Sequence, residues 1–78
     1  DWIDAAGAFR GGAIYPGLRL MAEALHQYTA KLPLVEVKEA AAYPGTSTER
    51  AITCGIVAAV AGAIEKLAAS VEGDVFLT

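Results

Sequence analysis

An α/β fold is predicted for this 78-residue chain by three observations. Two short β-type runs with glycines between and within them open the sequence. Two segments of helical periodicity follow, set apart by proline and glycine. A short apolar run closes it. The order strand, strand, helix, short extended piece, helix, strand points to α/β architecture.

Asp1 to Ala5 is the first expected strand, turned at Gly7, and Ala8 to Tyr15 is the second. Together they make a hairpin, although Ala6-Gly7 is a weaker turn signal than Asn-Gly. Gly11 and Gly12 inside the second strand predict a bulge or a close approach by another backbone or a ligand. Pro16-Gly17 breaks the run. A helix is then expected over Leu18–Lys31, because Leu18, Met21, Leu25, Tyr28 and Leu32 fall three and four apart and form one apolar stripe. Arg19, Glu23, His26 and Gln27 take the opposite side, and Pro33 stops the helix. Leu34–Val37 is a short extended piece, a candidate edge strand. Glu39–Pro44 is a loop or a short helical turn.

Thr46 and Glu49 have the spacing of a capping box. The second helix is expected to run from there to about Ser70, with charges only near its ends. Ile52, Ile56, Val60, Ala63 and Leu67 give it a large-residue face. Gly55, Ala59 and Gly62 give it a small-residue face on which another element can pack closely. A helix apolar on two faces is expected to be sandwiched. Gly73-Asp74 ends it, and Val75–Thr78 has the look of a buried strand cut short, so the 78 residues are expected to be an incomplete segment.

Composition narrows the function classes. The chain is 55% hydrophobic and 19% charged, unusually apolar for a free domain this small. Some apolar faces are therefore expected to be covered by more of the same protein or by a second subunit, unless alanine alone inflates the count. The formal net charge is −3, and the six basic residues are scattered singly. Nucleic-acid binding lacks its electrostatic footprint. The single cysteine, Cys54, excludes an internal disulfide framework and fits a reducing compartment. The start Asp1-Trp2-Ile3-Asp4 has no leader character. The longest uncharged stretch, Ala51 to Ile64, is short of the roughly 20 residues that span a bilayer, so no membrane segment is expected.

Reactive side chains are sparse. Gly11-Gly12-Ala13-Ile14-Tyr15-Pro16-Gly17 is glycine-rich but lacks the Gly-Lys-Ser/Thr of a Walker phosphate loop. It is a tight strand-to-helix corner or a wall beside a ligand. Thr46, Ser47 and Thr48 sit at a helix N-terminus, where hydroxyls and free N–H groups cap the helix or bind a small polar ligand. Asp1 and Asp4, three apart on a strand, point to opposite faces and make no acid/base pair. His26 has the setting of a surface histidine and Cys54 that of a core cysteine. No nucleophile, base and orienting group assemble from these residues, so no catalytic residue and no metal ligand is assigned.

Three blocks, taken in order and at their spacings, resemble the type III pantothenate kinase family over Asp1–Thr78. Gly11-Gly12-Ala13-Ile14-Tyr15-Pro16-Gly17-Leu18 is similar to the family's G-G-x-I-x-P-G. Thr29-Ala30-Lys31-Leu32-Pro33 is similar to T-A-x-L-P. Gly45-Thr46-Ser47-Thr48 is similar to G-x-x-T, with Gly55 seven residues beyond Thr48. The resemblance implies part of an actin-like ATPase (ribonuclease H-like) fold of two related halves, from a cytoplasmic homodimer. It implies transfer of the ATP γ-phosphoryl group to pantothenate, the entry to coenzyme A synthesis. Phosphoryl transfer rests on positioning and charge neutralisation by parts that can lie far apart in sequence. The family's phosphate loop, its G-x-D-R motif with the general base and its D-x-G-T cation motif would precede Asp1. The sites for ATP, magnesium and potassium would therefore lie outside the segment, which alone would be inactive. The family threonine that contacts pantothenate of the neighbouring subunit maps to Thr48, the one substrate-binding residue expected here. Two other classes stay open: a non-catalytic regulatory accessory protein of the same fold, and a stand-alone helical interaction module.

Overall fold

A computed structural model describes residues 1–39 and 42–75 of the chain. They form two compact units, one from Asp1–Tyr15 and Gly62–Thr78, the other from Pro16–Ala61.

The first unit holds a three-stranded antiparallel sheet in the order β2-β1-β3, from β1 (Trp2–Ile3), β2 (Phe9–Gly11) and β3 (Asp74–Val75). The expected hairpin is present, but Asp4 builds it. Its Oδ1 accepts the N–H groups of Ala6 at 3.0 Å and Ala8 at 2.9 Å. Its own N–H donates to the Ala8 carbonyl at 3.0 Å, and its carbonyl accepts from Gly7 at 2.9 Å. An Asp side chain closing onto its own loop supplies the turn signal that Ala6-Gly7 lacks. Gly7 completes the turn at φ 85°.

The bulge expected from the strand glycines is also there. Trp2 pairs with Gly11 and Ile3 with Phe9, so Arg10 is the extra residue, and Gly11 takes φ 132°. Strand β2 is shorter than expected. A two-residue β1 gives residues beyond Gly11 nothing to pair with, and Ile14 is fully exposed. Trp2 ties the unit together: its indole N–H donates to the Glu72 carbonyl, and the Arg10 guanidinium lies 5.8 Å from its ring centroid. The last expected strand opens at Asp74 and pairs with β1; Phe76–Thr78 lie outside the described residues.

The second unit is built on α1 (Leu18–Gln27) and the first part of α2 (Thr48–Ala69). Ala22, Ile52 and Ile56 form its buried core, with Met21, Leu25, Leu32, Val35 and Val37 packed around them. Helix α1 stops four residues before the expected Lys31. Thr29 turns its hydroxyl back to the Leu25 carbonyl, and Tyr28 already has C-cap geometry. The residue before Pro33 is in any case disfavoured in a helix. The early stop swings Tyr28 out into solvent, so the stripe centres on Ala22 rather than running straight from Leu18 to Leu32.

The segment from Leu34 to Val37 has the burial alternation of a strand, with Val35 and Val37 half-buried and Leu34 and Glu36 exposed. It joins no ladder among the described residues. Residues 40 and 41 of the expected Glu39–Pro44 loop lie outside them.

The cap of α2 is shifted one residue from the expected Thr46 box. Ser47 is the capping residue: its Oγ accepts the Arg50 N–H at 3.2 Å and its carbonyl accepts the Ala51 N–H at 2.8 Å. Such a side-chain cap is worth about 1 kcal/mol. At the other end the Ser70 hydroxyl donates to the Lys66 carbonyl at 3.0 Å.

Ile52 and Ile56 are buried on one side of α2 and Cys54 on the opposite side. The small-residue face is open among the described residues: nothing lies within 4 Å of where a Cβ would stand on Gly55 or Gly62. The helix also runs past its flanking charges to 22 residues, and an 18-residue stretch within it has a mean hydropathy of 1.7. It therefore passes a length-and-composition test for crossing a bilayer, which core helices pass as well.

Candidate functional site

The second unit carries an open groove of about 790 Å³ along α1 and α2. Met21, Leu25 and Leu32 line one side and Ile52, Gly55 and Ile56 the other. Its hydroxyl-bearing residues are Tyr28, Thr29 and Thr48. Thr29 already donates to Leu25. Thr48 is exposed, and its hydroxyl has no hydrogen-bond partner among the described residues.

Local chemistry explains why Thr48 stands there. Gly45 lets the chain pass tightly beneath the first turn of α2, and Ser47 takes the capping role. That leaves Thr48 as the first helical residue with an uncommitted side chain. The backbone N–H groups of a first helical turn are only partly satisfied, so a hydroxyl beside them can share a polar ligand. The groove can thus grip an apolar body while Thr48 bonds a polar group on it.

The other candidates sort differently. Thr46 is exposed and makes no capping bond to the helix. The run from Gly11 to Gly17 does not line the groove; Gly11 serves the bulge, and a Cβ on Gly12 would sit 2.6 Å from the Asp1 carboxylate. The Asp4 carboxylate is spent on the hairpin turn, a role that alternation along a strand does not reveal. Cys54 is buried, as its apolar helix suggested. His26 is exposed but not idle: its Nδ1 lies 2.8 Å from the Leu32 carbonyl. Among the described residues no group of three or more His, Cys, Asp or Glu side chains could hold a metal ion.

Comparison with known proteins places these features in a family. The sequence profile of the type III pantothenate kinases matches residues 1–70. A type III pantothenate kinase of Methylacidiphilum infernorum is 42% identical over 77 residues, covering 99% of this chain and 28% of that protein. The Flavobacterium johnsoniae enzyme of that name is 51% identical over 57 residues, covering 73% of this chain and 23% of its own length. That of Alkalilimnicola ehrlichii is 48% identical over 68 residues, covering 87% and 27%. The chain therefore spans about a quarter of the length of these relatives. No solved structure matches it. With most of its length matched by the profile and close kinship at 42–51% identity, this chain belongs to the type III pantothenate kinase family.

Proposed function

We propose that the protein carrying this chain is a pantothenate kinase that uses ATP to phosphorylate pantothenate in coenzyme A biosynthesis. Residues 1–78 would be a segment of the C-terminal half of an actin-like ATPase domain, supplying part of the pantothenate site and part of a homodimer face. The observation that carries this reading is Thr48: an uncommitted hydroxyl on an apolar groove, in the G-x-x-T block of a family member. Pantothenate pairs an apolar gem-dimethyl centre with hydroxyl, amide and carboxylate groups, and such a wall suits it. The exposed small-residue face at Gly55, Ala59 and Gly62 supports the dimer role, since another backbone can approach it closely. The family resemblance implies that ATP, magnesium and potassium are held by motifs outside this segment. A cytoplasmic location goes with this activity.

In the full-length protein, Thr48→Ala should raise the KM for pantothenate about fivefold to tenfold, the loss of roughly one hydrogen bond to substrate. The KM for ATP should move much less. Steady-state kinetics with each substrate varied in turn checks this, and an unmoved pantothenate KM would sink the assignment.

A further inference from the structure

The geometry points to His26 as a positioning residue for the groove beside Thr48. This rests on the proposal that the groove is a pantothenate wall. His26 lies in the last turn of α1, and its ring reaches six residues forward to the Leu32 carbonyl at 2.8 Å. A carbonyl only accepts, so Nδ1 carries the proton and donates. The four residues after Gln27 form a loop pinned at two points, by the Thr29 hydroxyl on the Leu25 carbonyl and by the His26 ring on the Leu32 carbonyl. Leu32 is half-buried on the Ala22, Ile52 and Ile56 core and lines the groove together with Thr29 and Thr48. His26 itself is exposed and does not line it. It therefore acts through Leu32, holding the α1 wall at a fixed distance from the α2 wall instead of touching a ligand.

The test uses the full-length protein with His26→Ala and His26→Asn. The Asn side-chain amide can place a donor near the position of Nδ1, so it should keep the bond to Leu32. His26→Ala should raise the pantothenate KM about threefold to fivefold, as expected for one lost hydrogen bond of about 1 kcal/mol. Its kcat and its KM for ATP should stay put, and His26→Asn should return the pantothenate KM to within twofold of the parent. A general loss of folding would instead lower kcat in proportion to folded protein and leave both KM values alone, which would overturn the inference. So would an Asn variant that behaves like Ala. Thr48→Ala run in parallel separates the levels: if it raises the pantothenate KM while His26→Ala does not, only the His26 role falls. If Thr48→Ala leaves that KM unchanged, the substrate wall falls and this role with it.

Discussion

Gly45→Ala is expected to destabilise the protein by about 3 kcal/mol, at the upper end of what overpacking costs. A Cβ at this position would stand 2.4 Å from the Ala51 nitrogen, 2.5 Å from its Cα and 2.6 Å from the Arg50 carbonyl carbon. All three are backbone atoms of the first turn of α2, so no side-chain rotation relieves the overlap. The backbone conformation is not the issue, because Gly45 does not adopt a positive φ. The penalty is steric, and its relief would require unwinding the turn that carries Ser47 and Thr48. Thermal melting of the full-length variant should show a fall of roughly 10 °C, with pantothenate turnover lost alongside. Gly17→Ala is the control. Nothing lies within 4 Å of a Cβ there, so its midpoint should barely move. Equal shifts for the two variants would refute the close-approach account.

Gly73→Ala should be comparably severe for a compound reason. Gly73 sits at φ 108°, and a Cβ would meet the Ile3 carbonyl oxygen at 2.5 Å and the Asp4 Cα at 3.1 Å. A positive φ costs an L-residue about 1–3 kcal/mol, and overlap with a strand carbonyl adds to it. The damage should centre on the pairing of β1 with β3. Amide hydrogen exchange should show Trp2 and Ile3 losing protection while the amides of α1 keep theirs. Gly73→Asn should rescue little, because asparagine tolerates positive φ better but brings the same Cβ. Full rescue by Asn would show that conformation alone, without the overlap, set the cost.

The parts of the fold that were legible in the sequence are those governed by local periodicity. The α1 pattern, the long α2 and the glycine bulge in β2 all follow from spacing, and all are found. What the sequence hid depends on side chains bonding to backbone. Thr29 ends α1 early by turning to Leu25, and Ser47 takes the cap that Thr46 and Glu49 were spaced to form. Asp4 builds a turn whose central residues give little signal. Each of these residue types can bond its own backbone in several ways, and only the folded path selects one.

The site divides in the same manner. Thr48 came from a motif resemblance, and the structure adds that it lines a groove and that its hydroxyl has no partner among the described residues. His26 had the pattern of a solvent-facing residue, and it does face solvent. Its bond to Leu32 spans six residues around a helix end that periodicity placed too late. The small-residue face of α2 was evident as a pattern, and the described residues leave it bare.

Trp2 has a further consequence. It is the only tryptophan in these 78 residues, and its indole is bonded to the Glu72 carbonyl and close to the Arg10 guanidinium. Near-ultraviolet emission from the indole is therefore an intrinsic optical label of the sheet unit. Tyr28 and Tyr43 belong to the other unit. In the full-length protein with any other tryptophans replaced, following indole emission through a denaturant titration would show whether the sheet unit melts with the rest of the protein or apart from it, with no dye or added label.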